Sequence, residues 1–375
     1  MSKNTIATIA IDLGDRKSSI CALDVNREVV EVAQISTTRA GITRYFKRLE
    51  PTRVILEVGT HSPWVDRLLR SLGHETIVAN ARRVKLISAN WQKSDQVDAE
   101  LLARLGLADD KLLAPITHRK EDTQADLTVV RARDALVRSR TSLVNAARNL
   151  VKSYGERLPS CASCNFHKQA REAVPEALRD ALEPMFRAIE ALNTEIKEYD
   201  DKIEALCKSK YPETNSLQDI SGVGPITALC FVLTLEAPDR FKNGRQVGAY
   251  VGLTPKKRQS GDSNPQLGIT KCGDGYLRKL LVQCAQCILS PRGKDSALRR
   301  WGEQKVASGG KGAKKRAVTG VARKLSVVMY HLWKTGDRYK PFPEIKTRSK
   351  DQSRAGSKPR PRQSARHATD RKVAA

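Results

Sequence analysis

Residues 5–37, "TIATIAIDLGDRKSSICALDVNREVVEVAQIST", decide how the rest of the chain is read. Three segments rich in β-branched residues, TIATIAID, SSICALD and VVEVAQIST, are separated by short polar turns. Short apolar runs bounded by turn residues predict strands rather than helices, and three in succession predict an antiparallel meander. The first strand ends on an acid, Asp12.

Working outward, the sequence alternates. A helical stretch, AGITRYFKRLE, precedes a buried-type strand, RVILEVG; the helix SPWVDRLLRSLG follows, with Gly73 as its stop signal, then a short strand, ETIVAN, and helical sequence carrying Asp95 and Asp98. Three strands and then alternating helix and strand is the order of an α/β RNase H-like (RuvC-like) domain, expected over residues 1–115. Long helices with almost no strand signal are expected over 116–210. There Leu136, Leu143 and Leu150 recur every seven residues beside Val137, Val144 and Val151. Leu182, Met185, Ile189, Leu192, Ile196, Tyr199, Ile203 and Leu206 alternate spacings of three and four, the seam of a coiled coil. Such a seam serves an intramolecular hairpin or a contact between two copies equally well. A mostly α-helical domain is expected over 211–340, and the polar, basic, Pro-containing stretch 341–375 reads as a disordered nucleic-acid-binding arm.

The chain of 375 residues is long enough for two or three domains. Lys and Arg number 67 against 41 Asp and Glu, a formal net charge of +26, and the excess is distributed along the sequence. A surface so charged attracts polyanions, and nucleic acid is the expected partner. No apolar run of about 18 residues and no signal-peptide pattern occur, so no membrane partner is expected, and the protein is read as soluble and cytoplasmic, joining the nucleoid when it acts on DNA. Eight cysteines in a chain this long read as reduced thiols.

Acids inside so basic a chain need a reason. Asp95 and Asp98, three apart, share one face of a helix and could face one divalent cation; an N-cap with its first-turn partner fits the same pattern. Asp12 at a strand end and Glu57 inside VILEVG are further carboxylates in apolar settings, costly unless a cation or hydrogen-bond donors meet them. With the first and fourth strands adjacent, all four acids would converge. Two Mg²⁺ ions about 4 Å apart would relieve their repulsion and suit phosphoryl transfer, with Mn²⁺ an equivalent cofactor.

The segments AIDLGDRKSSICALD, VILEVGTHSPW and KSDQVDAELLA together resemble the DEDD-type transposases of the insertion sequence 110 family, whose N-terminal domain is RuvC-like. Asp12, Glu57, Asp95 and Asp98 match the family's acidic tetrad in order and setting, which implies catalytic, metal-binding roles. The likeness continues from Leu217 to Ala285. Within that block DISGVGPITA resembles a helix-hairpin-helix: Gly222 and Gly224 permit a tight turn, Pro225 suits the first helical position, and exposed N–H groups could bind a phosphate; a plain inter-helix turn reads equally well. In TPKKRQSGDSNP, Lys256, Lys257 and Arg258 read as phosphate contacts. The resemblance adds that Ser260, in the family's "SG" setting, is the nucleophile that forms a covalent phosphoserine intermediate with DNA. Ser263 is a nearby rival. It also implies a bridge RNA guide, a homo-oligomer (dimer or tetramer), and a site composed from two protomers. A RuvC-like endonuclease that hydrolyses DNA without a serine intermediate is the alternative.

Two other patterns stand in the sequence. CASCNFH sets Cys161, Cys164 and His167 at zinc-like spacing, with Cys284 and Cys287 as possible further ligands; buried thiols are the commoner explanation. DLGD after a strand resembles an ATPase phosphate loop but lacks a second matching strand.

Overall fold

Strand β1 (Ile6–Asp12) is the middle of a five-stranded sheet in the order β3-β2-β1-β4-β5. The computed structural model describes residues 6–80, 95–261, 263–265 and 267–343. The basic arm expected over 341–375 lies, from residue 344 on, outside the described residues. The chain divides into two compact units, residues 1–205 with 232–237, and residues 206–231 with 238–375.

In the first unit β2 (Lys17–Asp24) pairs antiparallel with β1 and with β3 (Val29–Ser36), the expected meander. β4 (Arg53–Glu57) lies parallel to β1, and β5 (Glu75–Ala79) parallel to β4. Helices α1 (Arg39–Phe46) and α2 (Ser62–Ser71) supply the crossovers, and Gly73, at φ +90°, takes the left-handed conformation that ends α2.

Strand alternation separates two cores. Ile9, Ile11, Ile20, Val54 and Leu56 face α1 and α2, packing on Ile42, Phe46, Val65 and Leu69. Ala10, Cys21, Leu23, Ile55, Ile77 and Ala79 face the other way, against Ala99, Leu102 and Ala103 of α3 (Asp95–Ala108). The result is a three-layer sandwich, α1 and α2 over the sheet and α3 beneath it. This mixed sheet followed by helices is consistent with an RNase H-like α/β domain and a helical C-terminal part.

Two long helices follow, α4 (Glu121–Ser153) and α6 (Arg179–Ser209), with the short α5 (Phe166–Ala173) between them in sequence. They run antiparallel within one chain: Arg133 pairs with Asp200, and Arg140 Nη1 donates to Asn193 Oδ1 at 2.8 Å. Leu182, Ile189, Ile196 and Ile203, seven apart, are all buried. On α4 it is Val144 and Val151 that are buried, while Leu150 is 50% exposed. The leucine row read from the sequence is therefore not the packed face at that end. One residue of offset is about 100° of helical rotation, and α5 settles which row turns inward by setting Phe166 and Ala170 against the valines.

The second unit is helical. Its elements are α7 (Thr214–Gln218), most of α8 (Pro225–Leu235), α9 (Gly244–Tyr250), α10 (Gly275–Ile288), α11 (Ala297–Ala307) and α12 (Ala313–Thr335). α12 carries the core: Val321, Leu325, Met329 and Tyr330 are almost wholly buried, and Tyr330 donates its hydroxyl to the Phe241 carbonyl at 2.9 Å. Among the described residues no helix is long and apolar enough to cross a membrane.

Candidate active site and nucleic-acid contacts

β1 and β4 are in parallel register, Ile11 opposite Leu56, so one step further sets Asp12 beside Glu57. By alternation both carboxylates lie on the face of Ala10 and Ile55, the face that α3 covers. α3 begins at Asp95, and its first turn holds Asp95 and Asp98. Asp12 registers the others: its pKa is raised from 3.8 to about 6, first by burial and then by the negative charges of Asp95, Glu57 and Asp98. Asp98 Oδ1 is buried and has no hydrogen-bond partner among the described residues, a cost that a cation would remove.

The four acids thus gather as charges. As their side chains stand, no three His, Cys, Asp or Glu groups among the described residues form a set that could hold an ion. The donor chemistry nevertheless fits a hard divalent cation: oxygen ligands, a buried carboxylate oxygen with no partner among the described residues, and a neighbour, Asp12, pushed toward protonation by burial and by the other acids' charges.

The loops carrying Asp12 and Glu57 are tied together by groups that sequence reading passed over. Trp64 Nε1–H donates to His61 Nδ1 at 3.1 Å, and His61 Nε2 lies 3.6 Å from Asp15 Oδ1. Ser62 closes the turn after Glu57, accepting from Gly59 N–H and donating to the Gly59 carbonyl, both at 2.9 Å. The only available signal was the closeness of THSPW to Glu57 and of Asp15 to Asp12 in sequence.

In the second unit the segment read as a loop is one, drawn into a ribbon by isolated backbone pairs at its base and its tip. Lys256 N–H donates to Gly268, and Thr270 N–H to Thr254, at 2.9 and 2.8 Å. At the tip Ser260 and Ser263 exchange both backbone hydrogen bonds, at 3.0 and 3.1 Å, with Gly261 at φ +53° in the turn. Ser260, Ser263, Lys256, Lys257 and Arg258 are all exposed. The ribbon's base is pinned by Arg278 Nη1, which donates to the Val251 and Cys272 carbonyls at 3.1 and 2.8 Å.

Comparison with known proteins places the chain in a family. Residues 9–156 match a transposase domain of the DEDD type from IS110 elements, and residues 214–300 match the family described as "Transposase IS116/IS110/IS902 family". A Sinorhizobium fredii protein named as a transposase, y4pF/y4sB, is 30% identical over 75% of this chain and 73% of its own length. The chain belongs to the IS110 family of transposases. The transposase for insertion sequence element IS1111A of Coxiella burnetii is 28% identical over 77% of this chain and 79% of its own. That for IS1328 of Yersinia enterocolitica is 27% identical over 76% and 84%. This transposase is accordingly an insertion-sequence DNA-processing enzyme, and its DEDD-type domain points to dependence on a divalent metal.

All four acids fall in the first matched range, and Gly222, Gly224, Lys256, Lys257, Arg258 and Ser260 in the second. Around the expected helix-hairpin-helix, α7 is only five residues long. Gly222 takes φ +92° and sits against Cys284, Cys287 and Ile288 of α10, whereas Gly224 is unhindered and its φ is not positive. Cys161, Cys164 and His167 are not among any set of three such groups that could hold a metal ion among the described residues, and the two ring nitrogens of His167 meet Asn193 Nδ2, 3.2 Å from Nδ1, and Glu190 Oε1, 3.8 Å from Nε2.

Proposed function

We propose that the transposase cuts and rejoins DNA with Asp12, Glu57, Asp95 and Asp98 as ligands of Mg²⁺ or Mn²⁺ and with Ser260 as nucleophile. The observation that carries this reading is the electrostatic coupling of Asp12 to the other three acids, in a chain of net charge +26. A bound divalent cation would neutralise phosphate oxygens and stabilise the charge on the leaving oxygen. Ser260 Oγ gives up its proton to solvent and forms a bond to phosphorus as the bond from phosphorus to a deoxyribose oxygen breaks, and that oxygen takes up a proton from solvent. The product is a phosphoserine that conserves the bond for rejoining. Lys256, Lys257 and Arg258 hold the backbone beside the serine, and the N–H groups around Gly222 and Gly224 take a further phosphate.

In this reading residues 1–115 form the RuvC-like catalytic domain, 116–210 a coiled-coil region, 211–340 the serine-bearing transposase domain and 341–375 a basic tail. The enzyme works in the cytoplasm on nucleoid DNA as a dimer or tetramer, with acids and serine drawn from different protomers, and an element-encoded bridge RNA selects the DNA. The distributed positive charge supports the RNA and the DNA alike.

The test is recovery of the protein under denaturing conditions from cells carrying the native locus. Covalently attached DNA is expected with wild type and absent with Ser260→Ala and Asp95→Ala. If Ser263→Ala alone abolishes the adduct, the nucleophile is Ser263. Nicking that needs Asp95 and Mg²⁺ but leaves no adduct would replace this reading by the hydrolytic endonuclease.

A further inference from the structure

A cavity of about 940 Å³ in the second unit lies between α11, α12 and the returning segment Asp337–Pro343, with no residue of the Ser260 loop in its lining. That segment is fastened to α11: Ala297 N–H donates to the Pro341 carbonyl at 2.9 Å, and the Arg300 guanidinium lies 4.7 Å from the Phe342 ring centroid. Leu298, Val327, Val328 and Leu332 give the cavity an apolar lining, and Trp301 provides an aromatic wall. The indole is held by a close fit. A β-carbon at Gly320 would stand 2.8 Å from Trp301 Cη2, so the glycine is what lets the ring lie against α12.

Charge distinguishes this cavity from an ordinary apolar groove. Arg323, Lys324, Arg338 and Lys340 line it against one acid, Asp337. Among the described residues none of these four cations pairs with a carboxylate, although Arg299, Arg300 and Lys334 nearby pair with Glu303, Asp295 and Asp239. The ammonium of Lys324 lies 4.6 Å from the Trp301 ring centroid, a flexible cover that can move aside to meet a phosphate next to a stacked base. An aromatic wall with uncompensated cations around an apolar floor is the chemistry that binds a single unpaired nucleotide: base on the ring, phosphates on the rim. A docked helix without acidic side chains would leave four cations without partners.

We infer that this pocket holds an unpaired DNA nucleotide, one exposed when the transposase separates strands. The inference rests on the second unit's own geometry and is independent of the proposed roles of Ser260 and the acidic tetrad.

The experiment uses the full-length protein and a single-stranded oligodeoxynucleotide with one 2-aminopurine, compared with the fully paired duplex and the matching oligoribonucleotide. The expected result is quenching of 2-aminopurine on binding. Trp301→Ala is expected to abolish the quench and weaken single-strand binding about ten-fold, within the range for one base–aromatic stack, while duplex affinity stays within about two-fold. Trp301→Phe keeps a stacking face and should retain most of the affinity. Arg338→Ala with Lys340→Ala should lower the salt slope for single strands by about 1.4. Quenching that persists in Trp301→Ala, or equal losses for single strand and duplex, would overturn the inference. So would an oligoribonucleotide binding ten-fold more tightly than its DNA counterpart. If Trp301→Ala does not fold, Trp301→Phe and the double alanine variant decide through the same quench and salt slope.

Discussion

Gly106 of α3 rests directly on Ile55 of β4: a β-carbon at 106 would overlap Ile55 Cδ1. Ile55 is two residues before Glu57, and Gly106 lies on the helix whose first turn carries Asp95 and Asp98. This contact therefore sets how closely the acid-bearing helix approaches the acid-bearing strands. Gly106→Ala is expected to destabilise the fold by about 1–3 kcal/mol through overpacking and to reduce DNA cleavage by displacing α3. Ile55→Val should relieve part of the clash, so the double variant is expected to be more stable than the sum of the single changes. Urea melts of the four proteins measure that coupling.

Asp12 predicts an unusual pH dependence. The unfolded chain ionises this carboxyl near 3.8, whereas the folded chain retains the proton to about 6. Ionising it therefore costs the folded state more than the unfolded one. Its contribution to stability falls as pH rises from about 4 to 6 and stays low above that. In chelator-treated protein, Asp12→Asn is expected to raise the melting temperature at pH 7.5 and to do so much less at pH 4. Equal effects at both pH values would disprove the coupling. DNA cleavage by the variant is expected to be lost.

A cation drawn to the tetrad offsets the same repulsion. Mg²⁺ at 100 times its dissociation constant should stabilise the wild type by about 2.7 kcal/mol. Asp12→Asn and Asp98→Asn are expected to lose most of that response in thermal-shift titrations, and EDTA should return wild type to its unliganded melting temperature.

Lys256, Lys257 and Arg258 stand exposed along the side of the ribbon that leads to Ser260. Replacing all three by alanine is expected to lower the slope of log K against log salt by up to about 2.7 for duplex DNA, with little change in melting temperature. An unaltered slope in binding titrations would show that the ribbon does not meet the backbone.

Neighbouring positions on α4 give a stability test. Val151 is fully buried and Leu150 half exposed. Leu150→Ser should alter stability by no more than about 0.5 kcal/mol, whereas Val151→Ala should cost at least about 1 kcal/mol. If Leu150→Ser instead shifts the oligomer's mass in sedimentation, the exposed Leu150 serves a second copy.

The sheet order was legible because strand periodicity and turn residues are local properties, and once three strands form a meander the fourth has few places to go. Glu57 stood out for a similar reason, as a charge inside an apolar run. Some features were not legible. The ribbon at 252–271 is closed by backbone hydrogen bonds between residues whose side chains show no strand alternation. The choice of Val151 over Leu150 depends on where α5 lies, which no periodicity in α4 encodes.

By itself the sequence determined the elements, the positions of the acids along them and the positive charge, because propensity, patterning and composition act over a few residues. Tertiary structure alone decided that Asp12 is coupled to three acids distant in sequence, that α3 seats on Ile55 through Gly106, and that four cations with no carboxylate partner among the described residues line one cavity with Trp301. Each of these depends on distance in space, and a carboxyl's pKa, a steric fit and a pocket's charge exist only once remote segments are packed together.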